Sequence, residues 1–150
     1  MAYVIRKAKI EDIPSINQLF IEMQETIYNA EDIIGYEDNY LDKFFSNNKN
    51  WICVSEYNNQ VVGYLSIEVY ENKNYIYLDD LAVTEQHRFN GIGTILIHTA
   101  EEYAKSISIS EIVLHVEESN TQAQEAYLKL GFVKNTFEGS RIRMIKKVIV

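Results

Sequence analysis

The sequence holds one cysteine, one proline and six glycines among 150 residues. With Cys53 alone, no disulfide can form within the chain, which excludes the cross-linked frameworks of small secreted domains. Cys53 lies in an apolar run and reads as a lone buried thiol, compatible with a cytoplasmic setting. The single proline, Pro14, and the lack of any Gly/Ser-rich stretch leave no linker. There is no internal repeat or low-complexity tail, so residues 1–150 read as one domain. No apolar run approaches the roughly 20 residues of a membrane span. The opening MAYVIRKAKIEDI carries charges every few residues and no apolar signal core, so neither export nor membrane association is expected. Basic residues are few, 14 against 22 acidic, for a net charge of −8. Such a surface does not attract nucleic acid and leans toward a cationic partner such as an amine. The three histidines show no metal-ligand spacing and no Cys/His cluster exists, so no metal is expected. His87, in a polar turn, is expected to face solvent.

What is present is an ordinary apolar fraction of 47% and eleven tyrosines. Buried tyrosine hydroxyls need partners, so some of these should line a cleft. YVIRKAKI, 3–10, reads as a first strand, and Asp12 with Pro14 marks a helix start. Ile16, Leu19, Phe20, Met23 and Ile27 follow at helical spacing. Residues 37–46 suggest a second short helix around Tyr40, Leu41 and Phe44. WICVSEY, 51–57, and VVGYLSIEVY, 61–70, form a hairpin across Asn58-Asn59-Gln60, and YIYLDDLAV, 75–83, is a third strand. Residues 91–106 carry one apolar stripe and form a helix. EIVLHV, 111–116, is a strand, 120–130 a helix closed by Gly131, and FVKNTF and RIRMIKKVIV are the last strands. The order predicts a mixed α/β sheet of about seven strands, mostly antiparallel, with helices on both faces.

The most informative stretch is LAVTEQHRFNGIGTILI, 81–97. A strand end leads through a polar turn into two glycines, Gly91 and Gly93, that open a helix. Such a turn aims backbone N–H groups at an anion. The lysine of a nucleoside-triphosphate loop and the third glycine of a dinucleotide fingerprint are both missing. The fuller pattern, Arg88-x-x-Gly91-x-Gly93 across a strand-to-helix turn, resembles the acyl-CoA-binding motif of the GCN5-related N-acetyltransferase (GNAT) superfamily. LHVEESNTQAQEAYLKLGF, 114–132, resembles that superfamily's second motif through Asn120, Ala123, Tyr127, Gly131 and Phe132.

The resemblance implies the superfamily's fold, with a splayed acyl-CoA cleft, and direct acetyl transfer from acetyl-CoA to a primary amine in a ternary complex. Backbone amides of Phe89, Asn90, Gly91, Ile92, Gly93 and Thr94 would surround the pyrophosphate, with Arg88 on the phosphate side or ordering the loop. Leu81, Ala82 and Val83 would hold the pantetheine arm like an added strand. Asn120 would serve the cofactor or cap the last helix, and Tyr127 would be the general acid. Asp79 is the best single candidate for the base. Alternation places Tyr75, Tyr77, Asp79, Leu81 and Val83 on one strand face and Asp80 on the other. Tyr77 occupies the position of a glutamate base in some relatives. Glu25, Tyr28, Glu31, Asp32, Tyr77 and Asp79 are candidates for binding the acceptor. A small-molecule amine (polyamine, aminoglycoside or amino-acid-like) is the favoured acceptor; a protein N-terminus or lysine, or a non-catalytic acyl-CoA-binding module, are the alternatives. The apolar run MIKKVIV permits a homodimer. Gly91→Glu is expected to weaken acetyl-CoA binding through bulk and charge; calorimetry showing unchanged affinity would remove the glycine turn from the site.

Overall fold

The computed structural model describes residues 2–46 and 48–149. Seven strands form one sheet in the order β1-β2-β3-β4-β5-β7-β6. They are β1 (Val4–Lys7), β2 (Trp51–Tyr57), β3 (Gln60–Tyr70), β4 (Tyr75–Val83), β5 (Glu111–Glu117), β6 (Val133–Glu138) and β7 (Arg141–Lys147). Neighbours run antiparallel except β4 and β5, which are parallel. Helix α1 (Ile13–Tyr28) covers one face, and α2 (Ile92–Ser106) and α3 (Thr121–Lys129) cover the other. The predicted mixed, mostly antiparallel architecture is the observed one. The run MIKKVIV ends at Val150, which lies outside the described residues.

The elements follow from their residues. Pro14 occupies the first turn of α1, where a missing N–H costs nothing. Asp12 stands at the cap position, but its carboxylate turns back to the Lys9 amide and the Arg6 guanidinium. The helix buries Ile16 and Leu19, and ends at Asn29 in the left-handed conformation; Ile27, expected on its apolar stripe, is exposed. The short helix expected at 37–46 is a single 3-10 turn, Tyr40–Phe44, which buries Leu41 and Phe44. In α2, Ile92, Leu96, Ile97, Ala100 and Ala104 form the buried stripe.

Two cores lie on either side of the sheet. One joins α2 and β3–β5 through residues such as Leu65, Ile67, Ile76, Leu96 and Ile112. The other joins α1 and the 3-10 turn to β2 and β3 through Ile16, Phe44, Ile52 and Tyr64.

Strand β4 breaks its own alternation. Leu65 of β3 pairs with Leu81 and Ile67 with Leu78, so Ser66 alone faces two residues, Asp79 and Asp80. This is a β-bulge, held by a bond from the Asp80 amide to Ser66 Oγ at 3.0 Å. The expected single face for Tyr77, Asp79, Leu81 and Val83 is therefore wrong. Ile76 and Leu78 before the bulge, and Leu81 and Val83 after it, all meet the α2 core. Asp79 and Asp80 both reach the tyrosines on the α1 side. Pairing of β4 with β5 also stops at Leu78–Leu114. Beyond that point the two strands separate, because the bulge bends β4 away.

Helix α3 closes with two reciprocal bonds. The Gly131 amide donates to Leu128 O at 3.1 Å and the Phe132 amide to Tyr127 O at 3.0 Å. Phe132 then packs edge-on against Tyr127, with ring centres 5.7 Å apart, completing a Schellman motif. Lys146 Nζ donates to Leu130 O at 2.6 Å and to Glu101 Oε1 of α2 at 2.7 Å. Gly131 has φ +98°, and a Cβ there would sit 3.1 Å from Lys146 Cε. Gly131→Ala is expected to cost about 1–2 kcal/mol, because an L side chain is strained at this φ; urea unfolding of the two proteins measures it.

Candidate active site

The gap between β4 and β5 opens into two adjoining cavities of about 490 and 370 Å³. They share Leu81, Val83, Arg88, Gly93, Ile97, Ala123 and Tyr127, so they form one cleft with two lobes. Their sizes suit a small-molecule ligand.

The smaller lobe lies over the glycine turn. Gly91 has φ +78° and a Cβ built there meets nothing within 4 Å, so it faces open space. Gly91 begins α2 with no side-chain cap, which leaves the first N–H groups of a 15-residue helix free for a ligand. The loop leading there is tied down on several sides. Arg88 Nε donates to Val83 O at 3.0 Å, and Asn90 Nδ2 donates to the carbonyls of His87 and Arg88. Glu22 of α1 accepts from the Thr84 hydroxyl and the Glu85 amide. His87, expected to face solvent, is half-buried, hydrogen-bonded to the Tyr3 hydroxyl and packed against Tyr3 and Tyr57. Arg88 thus orders the loop, while Phe89, at φ +64°, is 95% exposed. A preorganised turn with free helix N–H groups beside an open lobe fits the pyrophosphate of coenzyme A.

The larger lobe reaches from Tyr127 toward the end of α1 and to Arg141. The bulge places Asp79 and Asp80 along its wall. Tyr40 donates to Asp79 Oδ2, and Tyr36 donates to Asp80 Oδ2 at 2.6 Å. The Tyr36 hydroxyl also meets that of Tyr64 at 2.7 Å, and Tyr36 stacks between Phe20 and Tyr40. Burial raises the pKa of both acids. That of Asp80 reaches about 6, driven by burial first and by the charge of Asp79 second, against the opposing bond from Tyr36. Burial, followed by the charge of Asp80, pushes Tyr127 up to about 12. Its hydroxyl therefore stays protonated at neutral pH, as a proton donor must.

Among the expected cofactor residues, Leu81, Ala82, Val83, Arg88, Phe89, Gly91, Ile92, Gly93, Thr94, Asn120 and Tyr127 line one lobe or both. Asn90 stands outside, holding the loop. Asn120 caps α3, its Oδ1 accepting from the Ala123 amide at 3.1 Å. Tyr28, Tyr77 and Asp79 line the larger lobe. Glu25, Glu31 and Asp32 are exposed and line neither lobe: Glu25 sits on the solvent face of α1, and the turn after α1 carries Glu31 and Asp32 outward. Sequence reasoning did not single out Asp80, which the bulge turns into the larger lobe, or His115, whose ring meets the Tyr77 hydroxyl there.

Comparison with known proteins agrees with this geometry. The model of the acetyltransferase (GNAT) family matches residues 14–132. An uncharacterized N-acetyltransferase of Bacillus subtilis, YhfO, is 29% identical over 137 residues, covering 88% of this chain and 91% of that protein. An uncharacterized N-acetyltransferase of Methanocaldococcus jannaschii, MJ1530, is 31% identical over 130 residues, covering 86% and 77%. The fold is similar to that of the PaiA N-acetyltransferase of Thermoplasma acidophilum in complex with coenzyme A. The TM-score is 0.82 at 22% identity, covering 98% of this chain and 99% of that one.

The raised pKa of Asp80 sets a pH dependence of stability. The folded chain binds this proton more tightly than the unfolded one, so the contribution is full below about pH 4 and lost as pH rises through about 6. Asp80→Asn is expected to flatten stability across this window and to raise it at pH 7 by about 1–3 kcal/mol; urea unfolding at pH 4, 5, 6 and 7 is the measurement.

Proposed function

Since the chain belongs to the acetyltransferase (GNAT) family, and is therefore an N-acetyltransferase that uses acetyl-CoA, we propose that its acceptor is a small molecule carrying a primary amine. The observation that carries this reading is the wall of the larger lobe. The carboxylates of Asp79 and Asp80 stand side by side there, and Glu117 lies across the lobe with its Oε1 accepting from Tyr28. Against these, Arg141 brings positive charge to the same lobe. Carboxylates and tyrosine rings in a half-enclosed space favour an ammonium group.

Acetyl-CoA, when bound, supplies the activated acetyl group as a thioester. The turn at Gly91 and Gly93 would hold its pyrophosphate. The β4 edge at Leu81 and Val83, free of β5, would bond the pantetheine arm, and a nearby amide N–H would stabilise the developing oxyanion. Asp79, with Asp80 beside it, would draw the ammonium into line and favour its approach. The amine must lose a proton before it can attack. Tyr127, at the junction of the lobes, would protonate the departing thiolate.

A panel of polyamines, aminoglycosides, amino acids and short peptides, read by coenzyme A release from acetyl-CoA, tests the acceptor class. Turnover with peptides alone would overturn the small-molecule reading. Tyr127→Phe is expected to lower kcat by about 100-fold or more while leaving acetyl-CoA affinity within about twofold; an equal loss of affinity would remove the general-acid role.

A further inference from the structure

The acceptor lobe holds a cation whose neighbouring acids are engaged elsewhere. Arg141, at the start of β7, lines that lobe and not the smaller one. In the ladder it stands opposite Glu117 of β5 on one side and Glu138 of β6 on the other. Neither acid pairs with it. Glu117 Oε1 accepts from the Tyr28 hydroxyl at 3.3 Å, and Glu138 Oε2 lies 2.9 Å from His115 Nε2. Arg6 is paired with Asp12 and Glu56, Arg88 donates to Val83 O, and Arg143 donates to Asn135 Oδ1. Among the described residues, Arg141 is the one arginine whose guanidinium makes no hydrogen bond or ion pair. All its N–H donors, set in a planar fork that matches a carboxylate, remain for a ligand. Its charge reaches the groups along the lobe. Burial pushes Tyr77 up to about 12, and the Arg141 charge is the first effect opposing it. Burial also raises Asp79, again with Arg141 among the opposing charges. Position separates the two ends. Strands β4 and β5 last pair at Leu78–Leu114, and Asp79 follows at once, at the narrow end of the gap. Glu117, the partner of Arg141, lies three residues beyond Leu114, a rise of roughly 10 Å. The lobe is thus bipolar, with carboxylates at the narrow end and a guanidinium at the mouth.

We propose that the acceptor is an amino acid, its ammonium held against Asp79 and Asp80 and its carboxylate held by Arg141. The proposal rests on the small-molecule reading and narrows it. A polyamine or an aminoglycoside would bring further positive charge toward Arg141 and leave the guanidinium unpaired. An amino acid satisfies both poles of the lobe. Two parallel N–H···O bonds from Arg141 would fix the carboxylate, and with it the direction from which the amine meets the thioester. The transfer forms the amide C–N bond and breaks the thioester C–S bond. One proton lost by the nitrogen goes to the sulfur of coenzyme A and another to solvent. The product keeps its carboxylate and loses its cation, so Asp79 and Asp80 hold the substrate but not the N-acetylated product. Arg141 sets specificity at the end of the acceptor away from the reacting atoms.

Matched acceptors that differ only at the anionic end test this. Each amino acid is compared with its carboxamide and with the amine lacking the carboxyl group, in α- and ω-amino series, by coenzyme A release from acetyl-CoA. The wild type is expected to favour the free carboxylate by about 10- to 100-fold in kcat/KM, chiefly through KM for the acceptor. Arg141→Gln is expected to bring acid and amide within about twofold, Arg141→Lys to keep part of the preference, and Arg141→Glu to turn it toward diamines. Calorimetric binding of acetyl-CoA to each variant is the control for folding. A wild type that acetylates polyamines or aminoglycosides but not amino acids would overturn the proposal while the small-molecule reading stood. A carboxylate preference that survives in Arg141→Gln would also overturn it, leaving Arg141 as the counter-charge of Glu117. Turnover of peptides alone would remove the small-molecule reading and this proposal with it.

Discussion

One extra residue in β4 sets the terms for the site. Because Ser66 faces both Asp79 and Asp80, the strand changes parity once in its length. Both carboxylates fall on the α1 side, while Leu81 and Val83 return to the α2 core. The same irregularity sits where pairing with β5 ends. Under strict alternation one of the two acids would instead point into the apolar core around α2. Cleft, acid wall and unpaired strand edge are thus one event in the backbone, and the desolvation that raises both acids is its electrostatic cost.

The two lobes are rigidified differently. Around the glycine turn short-range bonds, Arg88 to Val83 and Asn90 to His87, shape the loop, and Glu22 and Tyr3 pin it from distant segments. Around the acceptor lobe the bonds are long-range and mostly phenolic. Tyr36, Tyr40, Tyr64 and Tyr77 each use a hydroxyl to satisfy a group on another element. The high tyrosine count is spent largely here, where rings give packing area and hydroxyls give partners to buried polar groups.

Much of this was legible in the residues. Periodicity and turn chemistry placed all seven strands and all three α-helices, because those signals are local. The glycine turn and the Asn120–Phe132 segment were legible for the same reason, being contiguous in sequence. What failed was whatever depends on the pairing of distant segments. Strict alternation assigned Asp80 to the wrong face, since a bulge is a relation between two strands and leaves no mark on one of them. His87 was expected in solvent because nothing near it announces Tyr3. Glu25, Glu31 and Asp32 were plausible by proximity to the cleft, yet Glu25 falls on the solvent face of α1 and the turn after it directs Glu31 and Asp32 outward. His115 looked like an ordinary strand residue, and its alignment with Tyr77 and Glu138 exists only in the assembled sheet.

The anchoring of α3 has a consequence for how the protein is made. Leu130 O and Glu101 both wait for Lys146, and β7, which carries it, enters the sheet between β5 and the earlier-synthesised β6. During translation the phosphate turn and its helix can emerge whole, while the helix bearing Tyr127 still lacks its brace. A ribosome-bound chain stopped shortly after Phe132 would have the residues of both motifs and neither the brace nor the finished right-hand side of the sheet. The glycine turn precedes the tyrosine's support in chain order, since Lys146 follows both motifs.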